Sequence, residues 1–317
     1  MMRSTKKWAK AEILRRKSFR LEEAVLIISS PRGGSTWLGE IINHLPGSLI
    51  NWEPFHPKFG VLPTDFNWGD AAYLPEELAG ERERSVVEDI LNYRRASSFS
   101  LSFANWKGVL SSRWVITKSV RTTCLLPWIV RHIPLKRKPI YLLRHPIPTA
   151  LSHLKAFGPA QAAGEDYQVP DMIHNDRFRE QAEFMNGLAS PLERQLAIWC
   201  LNNLPSIRHA EHGRKWIVQY YEDLVLEPEQ QSRQLLEELG FSVSDEQLSR
   251  IKFRKASQTD MKQDLLADAR QQLEKWQHQL SDEQVDKLQK VFDHFDLKLY
   301  SAHEPLPLLT HKNKIKC

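Results

Sequence analysis

The stretch Ala24-Val-Leu-Ile-Ile-Ser-Ser-Pro-Arg-Gly-Gly-Ser-Thr-Trp37 decides how this chain folds. Residues 24–29 are a short apolar run with β-branched side chains, the pattern of a strand buried on both faces of a parallel sheet. Beyond the glycines, Trp37, Leu38, Ile41, Ile42 and Leu45 recur at helical spacing. The order is therefore strand, glycine loop, helix. A loop in that place gathers backbone N–H groups and a helix N-terminus around one point, which makes an anion site. Gly33 and Gly34 allow close backbone approach, Ser35 and Thr36 add hydroxyl donors, and Arg32 adds a planar fork suited to phosphate or sulfate oxygens. No Lys follows the glycines, so this is not the GxxxxGK[ST] loop of a metal-dependent NTPase; nor is it a GxGxxG dinucleotide fingerprint.

Outward from the loop, strand-like runs recur at Leu49–Trp52, Arg113–Lys118, Pro139–Leu143 and Trp216–Tyr220. Helical spacing is expected near 82–95, over Thr122–His132, over Pro146–Ala156 and over Pro191–His209, with a loop at 157–175. Ser244-Asp-Glu-Gln247 and Ser281-Asp-Glu-Gln284 are two capping boxes. Strands alternating with helices predict an α/β fold around a mostly parallel sheet. The expected division is a basic N-terminal segment over 1–22, one domain over 23–300 and a tail over 301–317. Residues 55–112 mix Phe, Trp, Pro and Gly, and are expected to form a lid-like insertion over the sheet edge.

Composition narrows the class. The chain has 317 residues, 41% of them hydrophobic, enough for a sizeable core. Its net charge of +5 favours anionic ligands without choosing among them. The three cysteines are widely spaced, with no CxxC pair and no metal-ligand grouping. That pattern suits a reducing compartment, and a cytoplasmic protein is the expectation. No apolar run reaches the length of a membrane span, and no signal-peptide h-region is present. Trp8, Ile13, Leu14 and Phe19 suggest a short amphipathic N-terminal helix, packing on the domain or touching a membrane weakly. No helix-turn-helix, zinc-finger or RNA-binding signature occurs, so nucleic acid is not an expected partner.

Residues 29–37 resemble the 5'-phosphosulfate loop of sulfotransferases that use 3'-phosphoadenosine-5'-phosphosulfate (PAPS). Three further stretches resemble the same family in the same order. Ile140-Tyr-Leu-Leu-Arg144 followed by Ser152 resembles its 3'-phosphate motif. Val218-Gln-Tyr-Tyr-Glu-Asp-Leu224 resembles the strand end that sets a Tyr, here Tyr221, against the adenine. Arg270 and Trp276 resemble the segment that closes over the nucleotide, although Gln271-Gln-Leu-Glu274 stands where the family usually has glycines.

The resemblance implies a P-loop-like three-layer fold with a five-stranded parallel sheet. It implies PAPS as donor, 3',5'-ADP as product and no required metal. Arg32, Gly33, Gly34, Ser35, Thr36, Trp37, Arg144, Ser152, Tyr221, Phe253 and Arg270 are then the expected donor ligands. Lys118 matches the lysine that meets the sulfuryl oxygens. Where cytosolic members place a catalytic His, this chain has Val120. Carbohydrate and bacterial members instead use a Glu, and Glu53 in Asn51-Trp-Glu-Pro-Phe-His56 fits that pattern, with His56 as the reserve base. The expected acceptor is a hydroxyl compound, a carbohydrate by the Glu-Pro pattern, with Trp52, Phe55, Phe59, Trp68 and Trp106 as a candidate sugar floor. The rivals are a metal-dependent kinase-like phosphotransferase and a non-catalytic anion-binding relative.

Overall fold

The computed structural model describes residues 2–159, 165–251, 253 and 268–308. In chain order they form α1 (Met2–Arg16), β1 (Val25–Ser29), α2 (Ser35–Ile42), β2 (Ser48–Trp52), α3 (Glu81–Leu91), α4 (Trp106–Ser111), β3 (Trp114–Ser119), α5 (Leu126–His132), β4 (Ile140–Leu143), α6 (Pro146–Phe157), α7 (Asp176–Arg179), α8 (Ala182–Gly187), α9 (Pro191–Ile207), β5 (Ile217–Tyr220), α10 (Tyr221–Leu226), α11 (Pro228–Glu238), α12 (Asp245–Ser249), α13 (Ala269–Glu274) and α14 (Asp282–His294). The five strands make one sheet in the order β2-β3-β1-β4-β5, with every pairing parallel.

Alternation along the strands divides the core into two layers. Val25, Ile27, Ile140 and Leu142 face α2 and α11, against Leu38, Ile41, Leu235 and Leu236. Leu26, Ile28, Tyr141 and Leu143 face the other way, towards α3, α5, α6, α9 and α14. The result is a three-layer P-loop-like α/β fold. All five strands end on one edge, where open parallel sheets bind ligands.

Most elements begin where their caps sit. Ser190, Ser244 and Ser281 each accept a backbone N–H at the start of a helix, and both expected capping boxes are formed. The helix expected from Thr122 starts at Leu126, because Pro127 occupies its first turn and residues 122–125 turn into it.

Within residues 55–112, Phe55, Trp68, Val87, Ile90 and Leu91 are almost wholly buried in the main core, while His56, Asp70 and Phe99 line the cavity at the strand ends. The N-terminal helix packs on the domain, one of the two outcomes expected of its apolar residues. Ala11, Leu14 and Phe19 pack with Val109 and Val115, and Lys10 and Lys17 donate to the carbonyls of Ala104 and Leu110. Trp8 stays exposed. The expected 157–175 loop includes residues 160–164, and the expected tail includes 309–317; both stretches lie outside the described residues.

Candidate active site

The strand ends open onto a cavity of about 1200 Å³. Its floor is the loop after β1. Arg32 takes a left-handed conformation, φ 66°, which a non-glycine residue adopts at a cost. Gly33 and Gly34 are required by space. A Cβ on Gly33 would stand 2.2 Å from Ser29 Oγ, and one on Gly34 would stand 2.5 Å from Tyr221 Cδ2. The two glycines let the loop pack closely against Ser29 and the Tyr221 ring, and the start of α2 that follows is the kind of helix N-terminus that receives anions.

The Arg32 side chain crosses the cavity. Its Nε donates to Ser152 Oγ on α6 at 2.9 Å, and its carbonyl accepts from Arg144 Nη1 at 2.9 Å. Arg144, at the end of β4, lies over the Tyr221 ring at 4.4 Å. Tyr221 in turn meets the Trp37 ring edge-on, with centroids 5.9 Å apart. Arg32, Arg144, Ser152, Trp37 and Tyr221 thus form one connected wall, from residues as far apart in sequence as 32 and 221. Gly34, Ser35, Thr36 and Phe253 also line the cavity. Trp37 Nε1 and Gln272 Oε1, both on cavity-lining residues, are buried with no hydrogen-bond partner. Arg270 is not brought there: it is exposed and pairs with Glu274 at 2.8 Å.

A second cluster sits at the ends of β2 and β3. Glu53 is buried and left-handed, φ 44°. Its backbone N–H bonds to the Lys118 carbonyl at 2.9 Å, which fixes it beside β3. The Glu53 carboxylate is ion-paired with Lys118 Nζ through Oε1. Its Oε2 accepts from the Val120 N–H at 3.1 Å and lies 3.4 Å from Arg121 Nη1. Burial pushes the Lys118 ammonium down from its ordinary value; Glu53 opposes that shift, while Arg121 and Arg32 add to it. The Lys118 Nζ also stands 4.1 Å from the centre of the Trp52 ring.

A carboxylate offers about four lone-pair sites, and three donors occupy the Glu53 carboxylate. One direction remains for a further proton. His56 is less suited to accept one. Its Nδ1 accepts from the N–H groups of Lys58 and Phe59 at 3.1 and 3.2 Å, so the neutral ring carries its proton on Nε2. Desolvation, then Arg121, lower the His56 pKa and favour that neutral form.

Sequence reasoning missed Arg121, Asp70 and His153. Arg121 Nε donates to Asp70 at 2.6 Å while its Nη1 faces Glu53. His153 lines the cavity one residue after Ser152. Its pKa is lowered by desolvation first, then by Arg32. None of the three belongs to a recognisable motif, and only the fold brings them together. The expected sugar floor is not assembled. Of its five aromatics only Trp52 lines the cavity; Phe55 and Trp68 are core, and Phe59 and Trp106 lie elsewhere on the surface.

A family model described as the sulfotransferase family matches residues 24–245. The chain belongs to the sulfotransferase family.

The matched span of this sulfotransferase includes the anion loop, Glu53, Lys118, Arg144, Ser152 and Tyr221. The structure is similar to mouse sulfotransferase SULT7A1 complexed with PAP, at 16% identity over 90% of this chain and 88% of that one, with a TM-score of 0.45. It is also similar to the sulfotransferase domain of the Synechococcus PCC 7002 olefin synthase, at 17% identity over 90% and 100% of the two chains, with a TM-score of 0.46. A third similar structure is retinol dehydratase in a complex with retinol and PAP, at 13% identity over 91% and 85%, with a TM-score of 0.41. Among curated proteins, none matches the chain. Among the described residues, no helix is long and apolar enough to cross a membrane.

Proposed function

We propose that this sulfotransferase uses PAPS as donor and transfers its sulfuryl group to the hydroxyl of an acceptor. The observation that carries the reading is the wall joining Arg32, Ser152, Arg144 and Tyr221. Its two guanidinium groups come from different elements: one belongs to the glycine loop, the other to a strand end beside an aromatic ring. A ligand with two anionic groups flanking an aromatic base suits that wall. The glycines support the fit in another way: a Cβ at Gly33 or Gly34 would collide with Ser29 or with the Tyr221 ring and displace the loop that carries Arg32.

PAPS supplies an activated sulfuryl group whose bond to the nucleotide phosphate oxygen breaks as the acceptor oxygen bonds to sulfur. Negative charge then grows on the phosphate. Arg32 and the N–H groups at the start of α2 are placed to stabilise it. Lys118, with Arg121 behind Glu53, presents positive charge to the sulfuryl oxygens. Glu53 takes the acceptor's proton through its remaining lone-pair direction. His56 donates from Nε2 and positions the acceptor hydroxyl. The loop has no P-loop lysine, so on this reading charge stabilisation rests on Arg32 and backbone N–H groups, and transfer is expected without added metal.

The acceptor is a hydroxyl compound. A carbohydrate was the expectation from the Glu-Pro pattern; of the five aromatics expected to floor its site, Trp52 lines the cavity. Incubating the protein with PAPS and a broad acceptor panel in EDTA tests the reading by the appearance of a sulfated product and 3',5'-ADP. Transfer in EDTA is expected. Activity that needs Mg²⁺, with ATP as the working donor, would favour the kinase-like alternative.

A further inference from the structure

Arg270 and Gln272 stand two residues apart on α13, and at 3.6 residues per turn they lie about 200° apart around its axis. When one faces out, the other faces in. Arg270 is the outer one, held along the helix by Glu274 at 2.8 Å. Gln272 is the inner one, only 9% exposed, and it lines the cavity. Asp268 sets this register: its side chain accepts the Arg270 and Gln271 N–H groups at the start of the helix. The helix therefore delivers a neutral amide to the cavity and not a guanidinium.

That amide stands at the aromatic end of the donor wall. α13 packs against α10, the helix that begins at Tyr221. Leu273 shares an apolar cluster with Tyr221 and Leu224, and Trp37 and Phe253 pack against the same cluster. Trp37, Tyr221 and Phe253 line the cavity together with Gln272. Rings of this kind hold a flat base by stacking, and stacking does not tell one base from another. The edge of a base is distinguished by a hydrogen-bonding group. Gln272 Oε1 is such a group: it is buried and has no hydrogen-bond partner among the described residues. An acceptor left in that state is costly until a donor meets it. A phosphate does not meet that need, since its oxygens accept. The 6-amino group of adenine donates, and the ring nitrogens beside it accept, so a Gln amide pairs with adenine through both of its polar atoms.

We propose that Gln272 is the specificity-determining residue for the donor's base, its Oε1 accepting a hydrogen bond from the adenine 6-amino group while Trp37, Tyr221 and Phe253 flank the ring. The inference rests on the PAPS-donor reading above and deepens it by naming the side chain that distinguishes the base.

The test titrates the full-length protein in EDTA with 3',5'-ADP and with the 3',5'-bisphosphate of purine riboside, which carries a hydrogen in place of the 6-amino group. Wild type is expected to bind the purine riboside bisphosphate with affinity lower by about tenfold or more. Gln272→Leu is expected to weaken 3',5'-ADP by a similar factor and to bind the two nucleotides within about twofold of each other. Its melting temperature should equal or exceed that of wild type, because an unpartnered buried amide gives way to an apolar side chain of similar size. A merely structural role for Gln272 would leave the preference between the nucleotides intact. Equal affinity of wild type for the two, or a preference for 3',5'-ADP that survives in Gln272→Leu, overturns the base-reading role and leaves the two-anion site standing. Failure of wild type to bind 3',5'-ADP at all removes the donor reading, and this proposal with it.

Discussion

Arg32 Nε donates to Ser152 Oγ at 2.9 Å, so the glycine loop after β1 and the helix after β4 are joined by a side-chain hydrogen bond across 120 residues. On the proposed reading, Arg32 is one of the donor's ligands. Arg32→Ala is expected to weaken 3',5'-ADP binding by about tenfold or more, because a hydrogen bond to a charged group contributes roughly 1.5–3 kcal/mol. Turnover should fall further, since charge on the leaving phosphate grows in the transition state. Calorimetric titration and steady-state kinetics on the same preparation check both parts; equal losses in binding and in kcat/KM would leave Arg32 with a binding role alone.

Glu53 and Lys118 form a buried pair, with side chains only 4% and 6% exposed. Removing one partner leaves the other charge uncompensated, at a cost of roughly 3–5 kcal/mol. Glu53→Gln should accordingly lower both stability and turnover, and turnover alone cannot separate base from strut. The double substitution Glu53→Gln with Lys118→Met should regain much of the stability without regaining activity. Recovery of turnover in the double variant would show that neither group takes part in the chemistry.

The cradle at Gly34 makes a steric prediction. Gly34→Ala places a methyl against the Tyr221 ring and strains a residue held at φ 94°. The ring must shift, and with it the Arg144 guanidinium stacked on it. Donor affinity should drop by about tenfold or more, the scale of one lost charged hydrogen bond, and the melting temperature should fall as well, since both the strain and the displaced ring destabilise the fold. Quenching of Trp37 fluorescence by added 3',5'-ADP offers a direct readout, because Trp37 meets the same ring.

Behind the site, Glu222 is almost wholly buried. It accepts the His145 backbone N–H at 2.7 Å and faces Tyr300 Oη at 3.4 Å. Desolvation raises its pKa from 4.5 to about 7, against opposing contributions from the His145 N–H and from Arg144. A raised carboxyl pKa means that the folded state holds a proton the unfolded state has released. The stability this contributes is full below about pH 4.5 and is lost as pH rises towards 7. His145, pushed down to about 4 by burial, acts oppositely: its contribution is lost as pH falls from 6.5 towards 4. Glu222→Gln isolates the first effect. The melting temperature of wild type minus that of the variant should decrease between about pH 5 and pH 7.5. A difference that is flat or increasing over that range would contradict the assignment.

Much of this was legible in the chain. The five strands lie within a residue of the apolar runs that announced them, because a parallel strand buried on both faces needs an unbroken apolar segment. Ser244 and Ser281 marked two helix starts through local hydrogen bonds that depend on no tertiary contact. The loop and strand-end residues from Arg32 to Tyr221 were legible as a set, because each sits at a fixed offset from a strand. What depended on long-range packing was not legible. Nothing local distinguishes Trp68, sealed in the core, from Trp52, which lines the cavity under Lys118. Arg121 and His153 carry no motif and acquire their place only when β3 and α6 come together at one sheet edge. Arg270 shows the converse: matching a segment that elsewhere closes over a nucleotide did not turn its side chain inward, and an exposed pair with Glu274 holds it along α13.

Titrating the protein with 3',5'-ADP in EDTA, with 5'-AMP as the control, measures the proposed two-anion nucleotide site without turnover. Metal-free binding of 3',5'-ADP is expected, with a loss of about tenfold or more in affinity for 5'-AMP, the scale of one charge-assisted contact to the 3'-phosphate from Arg144 and Ser152. Equal affinity for the two nucleotides, or binding of 3',5'-ADP only when Mg²⁺ is added, would contradict it.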